Sequence, residues 1–161
     1  MTWEDFFRKF DEIIWQLVHG DEPAPTQPIY MPPKPPITPP SEPQSLLWDT
    51  PANVRHSIRV ICDEMGFTLE QKNTMCATIK AESGFNIHAR LDNKKNGVVW
   101  STDWGLCQWN SYWHWEKTKE ISPDEAVNDP EKAVRLMCKY WKAGLRNQWV
   151  AYSSGAYKKY L

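Results

Sequence analysis

The fold of this chain is decided by the stretch TLEQKNTMCATIKAESGF, residues 68–85. Thr68 and Gln71 have the spacing of a capping box, in which each side chain bonds to the other residue's backbone at the start of a helix. Gly84 supplies the left-handed residue with which many helices end. The sequence therefore predicts a helix from about Leu69 to Ser83, with residue 82 in its last turn.

The carboxyl group of Glu82 is predicted to point inward. Met75, Ile79 and Glu82 recur at steps of four and three, so the carboxyl lies on the same stripe as two apolar side chains. Burial and the negative end of the helix dipole both disfavour the charged form, so both raise the pKa of Glu82. A carboxyl that stays protonated near neutral pH suits a general acid. The alternative is a solvated glutamate at a helix end, the commoner situation.

A short β-hairpin is predicted after this helix. Asn96-Gly97 separates two short runs, residues 87–91 and 98–100, and this dipeptide is typical of a two-residue hairpin turn. The hairpin places Asp103 directly after its second strand.

Asp103 is the second candidate carboxylate. Ser101, Thr102 and Asn110 surround it in the sequence, and their hydroxyls and amide can donate hydrogen bonds that favour a charged carboxylate. Cleavage of a glycoside uses one protonated carboxyl and a second carboxyl that answers the positive charge developing on the sugar. Glu82 and Asp103 are therefore predicted as a catalytic pair. The alternative for Asp103 is a cap for a helix that begins at Trp104 or Gly105.

Three short motifs resemble, in order, the signature motifs of lytic transglycosylases of the soluble type: Glu82-Ser83, Gly105-Leu106-Cys107-Gln108 and Ala151-Tyr152-Ser153-Ser154-Gly155. The run Ser101-Thr102-Asp103-Trp104-Gly105-Leu106 and the downstream Gln108-Trp109-Asn110-Ser111 are also similar to c-type lysozyme, in which the matching aspartate is the second catalytic carboxylate. The resemblance covers roughly residues 51–161. The carboxyl roles follow the lysozyme example of this chemistry.

The resemblance implies a mainly α (α+β) fold, a lysozyme-like helical domain with one small hairpin. It implies that Glu82 is the acid, that Ser83 and Gln108 shape the cleft, and that Tyr152 lies close to the catalytic glutamate. The family's usual Ala-Tyr-Asn-Ala-Gly is Ala151-Tyr152-Ser153-Ser154-Gly155 here, and Cys107 replaces a larger apolar residue. Both outcomes therefore stay open: hydrolysis with Asp103, or formation of an anhydro end by transglycosylation.

Composition favours recognition through aromatic surfaces. The chain has 161 residues with 19 basic and 20 acidic side chains, which gives no broad basic face for nucleic acid. It has ten tryptophans, and the flat faces of sugar rings stack on indoles. About half of the tryptophans are expected in the core, with Trp104 and Trp113 on the cleft side. The predicted substrate-binding residues are Ser83, Ser101, Trp104, Gln108, Asn110, Trp113 and Tyr152.

No metal or other cofactor is predicted. Cys62, Cys76, Cys107 and Cys138 lack the spacing of a zinc site, and without a secretory signal they are expected to be reduced and buried. His19, His56, His88 and His114 show no metal-ligand spacing and are predicted at the surface or at helix ends.

The chain is predicted to have three parts: residues 1–20, 21–49 and 50–161. The first is a strongly amphipathic helix, too short and too charged to span a membrane, that either docks into a partner protein or packs on its own domain. Its apolar positions are Trp3, Phe6, Phe7, Phe10, Ile13, Ile14, Leu17 and Val18. The second is a proline-rich extended linker. We expect a protein partner for residues 1–43.

The catalytic domain is predicted to contain three further helices. The first begins at Thr50-Pro51 and ends at Gly66, and the others open at Ser122-Pro123 and Asp129-Pro130. The inward stripe of the last is Val134, Met137, Trp141 and Leu145.

The leading hypothesis is an enzyme that cuts the β-1,4 bond between N-acetylmuramic acid and N-acetylglucosamine in peptidoglycan glycan strands. The alternative is a non-catalytic structural or wall-binding protein on a lysozyme-like scaffold, since fold does not settle function. A wall-cutting enzyme without a signal peptide but with a docking helix suggests a bacteriophage product. It would be either a lysin made in the host cytoplasm or a virion-associated enzyme. The alternative is a bacterial secretion-system transglycosylase, which would need another route of export.

Overall fold

The computed structural model describes residues 46–161 of the chain, a helix-rich domain with a small three-stranded antiparallel sheet. The predicted helix 1–20 and nearly all of the predicted linker 21–49 lie outside the described residues. Leu47 already belongs to the domain, because its backbone N–H and C=O both bond to the Ser57 hydroxyl, at 2.9 and 2.7 Å. The domain therefore begins a few residues before the predicted boundary at 50.

The first two helices match their predictions closely. Helix α1, Pro51–Glu64, is capped by the Thr50 side chain, and helix α2, Leu69–Ser83, begins with the capping box of Thr68 and Gln71. Gly84 ends α2 in the left-handed conformation, with φ 68°. The inward stripe of α2 is confirmed, since Met75 and Ile79 are fully buried.

The hairpin turn is confirmed, and the second strand begins at Val98 as predicted but is longer; the first strand begins and ends later than predicted. Strand β1 is Arg90–Lys95 and β2 is Val98–Trp104, and Asn96 and Gly97 have φ of 53° and 81°, as this turn type requires. Strand β1 starts late because residues 86–89 fold into a turn, in which the Ala89 N–H donates to the Asn86 carbonyl at 3.2 Å. A short third strand, β3, Trp109–Asn110, pairs with the end of β2.

The remainder of the domain is helical. The two predicted helix starts are confirmed, since the side chains of Ser122 and Asp129 cap the helices that begin at Pro123 and Pro130. In order, the elements are a π-helical segment Ser111–Lys117, helices α3, Pro123–Asn128, and α4, Pro130–Lys142, a 3₁₀ turn Arg146–Gln148, helix α5, Val150–Ser153, and a 3₁₀ turn Ala156–Tyr160. Among residues 46–161 we find no helix with the length and apolar character needed to cross a membrane.

The core is formed mainly by α1, α2 and α4. The fully buried side chains include Ile58 and Ile61 from α1, and Val134 and Met137 from α4. Leu145 was predicted on the α4 stripe, but α4 ends at Lys142 and Leu145 is half-buried beyond it. All four cysteines are buried without a disulfide.

A buried polar cluster connects the π-helical segment to α4. The Glu120 carboxylate accepts hydrogen bonds from the hydroxyls of Tyr140 and Thr118, and it lies 3.6 Å from Nδ1 of His114. Burial alone would raise the pKa of Glu120, but the hydrogen bonds from His114, Tyr140 and Thr118 outweigh it and hold that pKa below its ordinary value. His114, predicted at the surface or at a helix end, is only 8% exposed, because it fills the space between Glu120 and Trp109.

We expect Glu120→Gln to lower stability at neutral pH by about 2 kcal/mol, because hydrogen bonds to a charged group are stronger than those to a neutral amide. The folded pKa of Glu120 is depressed. The stabilisation is therefore fully present above the unfolded pKa and is lost as pH falls through the folded pKa. Melting curves recorded from pH 7 to pH 3 should show the wild-type advantage shrinking towards acid. Glu116→Gln is the matched control, because Glu116 is exposed. A stability difference between wild type and Glu120→Gln that stays constant with pH would contradict this account.

Candidate active site

Glu82 lies where the sequence predicts, half-buried in the last turn of α2. Its Oε1 accepts a hydrogen bond of 2.7 Å from the backbone N–H of Ala151. Burial raises the pKa of Glu82; the Ala151 bond opposes this, and the negative charge of Asp103 adds to the rise. The net pKa lies above the ordinary value for a glutamate, as a proton donor requires.

A second long-range contact holds the segment that contains Ala151, the hydrogen-bond donor to Glu82. Trp149, just before Ala151, is buried, and its indole Nε1 donates to the Cys107 carbonyl at 2.9 Å. Its ring lies edge-on to Trp109, with centroids 5.4 Å apart. The loop after β2 and the short helix α5 are therefore held together beside the Glu82 carboxyl. Trp149 lies two residues before the third motif, so this contact connects that region with the second motif.

Asp103 lies in β2 on a polar face of the sheet. Strand pairing places Ser101 opposite Asn93, and Asp103 opposite Asn110, so these four side chains share one face. Asn110 Nδ2 donates to Asp103 Oδ1 at 2.6 Å, and Asn93 Nδ2 donates to Oδ2 at 3.0 Å. The two carboxylate oxygens are thus each held by a side-chain amide.

Two details of this face correct the sequence analysis. Ser101 forms no hydrogen bond with Asp103; its hydroxyl oxygen instead accepts from both Asn93 and Asn110, at 3.2 and 3.0 Å. Asn93 was missed altogether. The register of the hairpin would have identified it, since Asn93 pairs with Ser101, but the predicted first strand ended before that residue.

Thr102 and Trp104 lie on the opposite face of the sheet. Neighbouring strand residues alternate between faces, so Trp104 cannot share the face of Asp103. The Thr102 hydroxyl donates to Asp92 at 3.0 Å, and the Arg90 guanidinium lies 4.7 Å from the centre of the Trp104 ring. The prediction of Trp104 on the cleft side, and that of Thr102 as a donor to Asp103, are therefore both corrected. Nor does Asp103 cap a helix, because Trp104 is the last residue of β2.

Ser83 and Gln108 brace the backbone around the two carboxyls. The Ser83 hydroxyl donates to the Ile79 carbonyl of its own helix at 3.1 Å. Gln108 has a positive φ of 52°, and its Nε2 donates to the Gly105 carbonyl at 2.8 Å. Both side chains therefore bond to backbone close to them in sequence, and their predicted contact with a substrate stays a prediction.

An exposed aromatic cluster follows the third strand. Trp113 is 39% exposed, as its predicted contact with a ligand requires, and Trp100 is 46% exposed. Tyr112 contacts both edge-on, with ring centroids 5.9 Å from Trp100 and 4.9 Å from Trp113. These three rings offer apolar faces to solvent within one stretch of the surface.

Tyr152 directly follows Ala151, whose N–H donates to Glu82, and its ring packs among other aromatic rings. Its ring stacks on Tyr157 at a centroid distance of 5.2 Å and meets Trp141 edge-on at 5.0 Å. It lines a cavity together with Gln71, near the beginning of α2. Gln71 is about 16 Å from Glu82 along the helix axis. Tyr152 therefore lines this cavity, while the backbone N–H of its neighbour Ala151 donates to Glu82.

Within residues 46–161 no group of three or more His, Cys, Asp or Glu side chains is arranged to hold a metal ion. No model of a known protein family matches the chain. No curated protein and no solved structure matches it significantly.

Proposed function

We propose that this protein is a glycosidase of the cell wall that cleaves the β-1,4 bond between N-acetylmuramic acid and N-acetylglucosamine. One observation carries the proposal: the charge of Asp103 contributes to the raised pKa of Glu82, and the two carboxyls have different environments. Glu82 is half-buried with a raised pKa, whereas both oxygens of Asp103 accept amide hydrogen bonds. A protonated donor beside a charged carboxylate is the arrangement that glycoside cleavage uses.

In the proposed mechanism Glu82 protonates the glycosidic oxygen of the leaving sugar. Its Oε1 accepts from the Ala151 N–H, so the proton to be transferred is on Oε2. Asp103 stabilises or traps the positive charge that develops on the remaining sugar, and water completes hydrolysis. In the transglycosylase version, Glu82 then acts as the base on the sugar's own 6-hydroxyl, and an anhydro end forms without water.

The surroundings favour a neutral, hydroxyl-rich polymer as substrate. The exposed rings of Trp100, Tyr112 and Trp113 offer faces on which sugar rings stack, and the amides of Asn93 and Asn110 lie beside Asp103. The whole chain has 19 basic and 20 acidic residues, so there is no charge excess that favours a polyanion.

Mass analysis of fragments released from purified peptidoglycan by the full chain tests this function. Fragments with reducing ends indicate hydrolysis, and fragments with anhydro ends indicate transglycosylation. If no fragment of either kind is released at any pH from mildly acid to neutral, the enzymatic proposal is wrong. A wall-binding protein without catalysis would then be the better description.

Asp103→Asn distinguishes direct action of Asp103 on the sugar from a bracing role. If Asp103 stabilises the developing charge, the variant should lose roughly 10² to 10³-fold in rate, comparable to the loss of one electrostatic group elsewhere. Asp92→Asn is the matched control, because Asp92 lies on the other face of the same sheet and accepts a similar bond from Thr102. Equal rates in the two variants, with anhydro products from both, would assign Asp103 to bracing.

The biological setting that we propose is a bacteriophage lysin or a virion-attached enzyme, with residues 1–43 binding a phage or assembly protein. The motif-bearing domain and the separate amphipathic and proline-rich segments of the sequence support this proposal. Mass spectrometry of purified phage particles tests the virion version, which fails if the chain is absent from them.

A further inference from the structure

A cavity lies at the beginning of α2, and neither Glu82 nor Asp103 belongs to its lining. Its volume is about 370 Å³. The residues that line it are Thr68, Glu70, Gln71, Thr74, Trp141, Arg146, Tyr152 and Tyr157. A cavity of this size takes a small ligand or a few residues of a peptide.

The cavity combines an aromatic wall with one group of each charge. The Arg146 guanidinium lies 5.4 Å from the centre of the Tyr152 ring, and Tyr152 stacks on Tyr157. Within the described part of the chain, neither Arg146 nor Glu70 belongs to any ion pair. A guanidinium without a carboxylate partner is suited to bind a carboxylate in a two-pronged hydrogen bond, and a carboxylate without a partner is suited to bind an ammonium.

The cavity is aligned with the acid along one helix. Gln71, Thr74 and Glu82 fall on the same stripe of α2, because residues 71, 74, 78 and 82 recur at steps of three and four. Thr74 is about 12 Å from Glu82 along the axis. Helix α5 contacts both the acid and the cavity, because Ala151 donates to Glu82 and Tyr152 lines the cavity. An extended tetrapeptide spans roughly 13 Å, which covers this separation.

We propose that the cavity binds the stem peptide that branches from the glycan strand, with Arg146 on a peptide carboxylate and Glu70 on the ammonium of a diamino acid. This proposal rests on the proposed function, because the peptide is attached to the sugar that Glu82 would act on. The aromatic wall takes the aliphatic part of the peptide. The protein then recognises wall glycan that carries peptides and positions it through a contact remote from the bond that breaks.

Titration calorimetry of the full chain with a sugar-free stem tetrapeptide tests this proposal. We expect the wild type to bind it and Arg146→Gln to bind roughly tenfold more weakly or worse, since a charged hydrogen-bonded pair is lost. Arg55→Gln is the matched control, because Arg55 is an exposed arginine of α1 outside the cavity. Its affinity should equal that of the wild type. Absence of binding by the wild type, or equal affinities for Arg146→Gln and Arg55→Gln, would overturn the proposal.

An all-L peptide of the same composition separates wall peptides from peptide carboxylates in general. It presents the same charges at different positions, so we expect it to bind roughly tenfold more weakly or worse. Equal binding of the two peptides would overturn the assignment to wall peptide. The tetrapeptide contains no glycosidic bond, so this measurement is independent of cleavage. Binding without release of wall fragments would refute only the glycosidase, and release without binding would refute only the peptide site.

Discussion

Glu82→Gln is expected to abolish release of fragments from the cell wall, with a loss in rate of roughly 10³-fold or more. The amide cannot supply the proton that the leaving oxygen needs, and general acid catalysis by a positioned side chain contributes about 10² to 10⁴-fold. The amide oxygen of glutamine can still accept the hydrogen bond from the Ala151 N–H, so the local geometry is retained. Turbidity loss of a wall suspension, followed with purified full chain, measures the effect.

The matched control is Glu116→Gln, which makes the same chemical change at an exposed carboxyl. Thermal unfolding shows whether a loss of activity in Glu82→Gln comes from the missing proton donor or from a destabilised fold. Because burial raises the folded pKa of Glu82 above its unfolded value, the wild type loses stability as pH rises through these values. Glu82→Gln removes that penalty, so it should melt no lower than the wild type at pH 7. A variant that is folded and still clears walls would disprove the assignment of Glu82 as the acid.

Gly105→Ala is expected to cause a large loss of stability, because the added Cβ would collide with backbone. Gly105 has φ of 72°, and a Cβ at this position would lie 1.9 Å from the Ala126 carbonyl oxygen and 2.6 Å from its carbon. The left-handed conformation alone costs an alanine about 1 to 2 kcal/mol. The clash is with backbone, which cannot rotate away, and overpacking of this kind adds about 1 to 3 kcal/mol or more. Chemical denaturation should therefore show a loss of about 2 to 5 kcal/mol, a large part of an ordinary domain's stability.

Gly144→Ala separates the two contributions. Gly144 has a similar φ of 79°, but a Cβ there would meet no atom within 4 Å. This control should therefore show only the cost of the backbone conformation, about 1 to 2 kcal/mol. The difference between the variants measures how closely the end of β2 approaches helix α3. If both lose the same stability, the close approach of Gly105 to Ala126 is absent in solution.

Local sequence signals predicted the helices well and the sheet only in part. The bounds of α2 follow from neighbouring residues, since Thr68 and Gln71 cap one end and Gly84 the other. The turn at Asn96-Gly97 was predictable for the same reason. The extent of the strands depends on pairing between residues far apart in sequence, including a register shift between Asn93 and Lys94. No local pattern specifies that shift.

The candidate site divides in the same way. The inward position of Glu82 follows from the stripe of its own helix, and the sequence predicted both it and the raised pKa. The contacts that complete the site join distant segments: Asn93 with Asp103, and Ala151 with Glu82. Tyr152 was placed beside the acid by resemblance, and its actual surroundings depend on how α5 packs against Trp141. Such contacts need the tertiary structure, because sequence spacing does not determine them.

The hydrogen bond between Ala151 and Glu82 also determines when, during folding, Glu82 acquires its native environment. It joins residues 69 positions apart, and contacts of such sequence separation form slowly because a long loop must first close. Until it forms, Glu82 is a hydrated glutamate with an ordinary pKa and is charged at neutral pH. A newly made chain therefore carries no poised proton donor while it folds. The raised pKa of Glu82 is therefore a property of the folded molecule only.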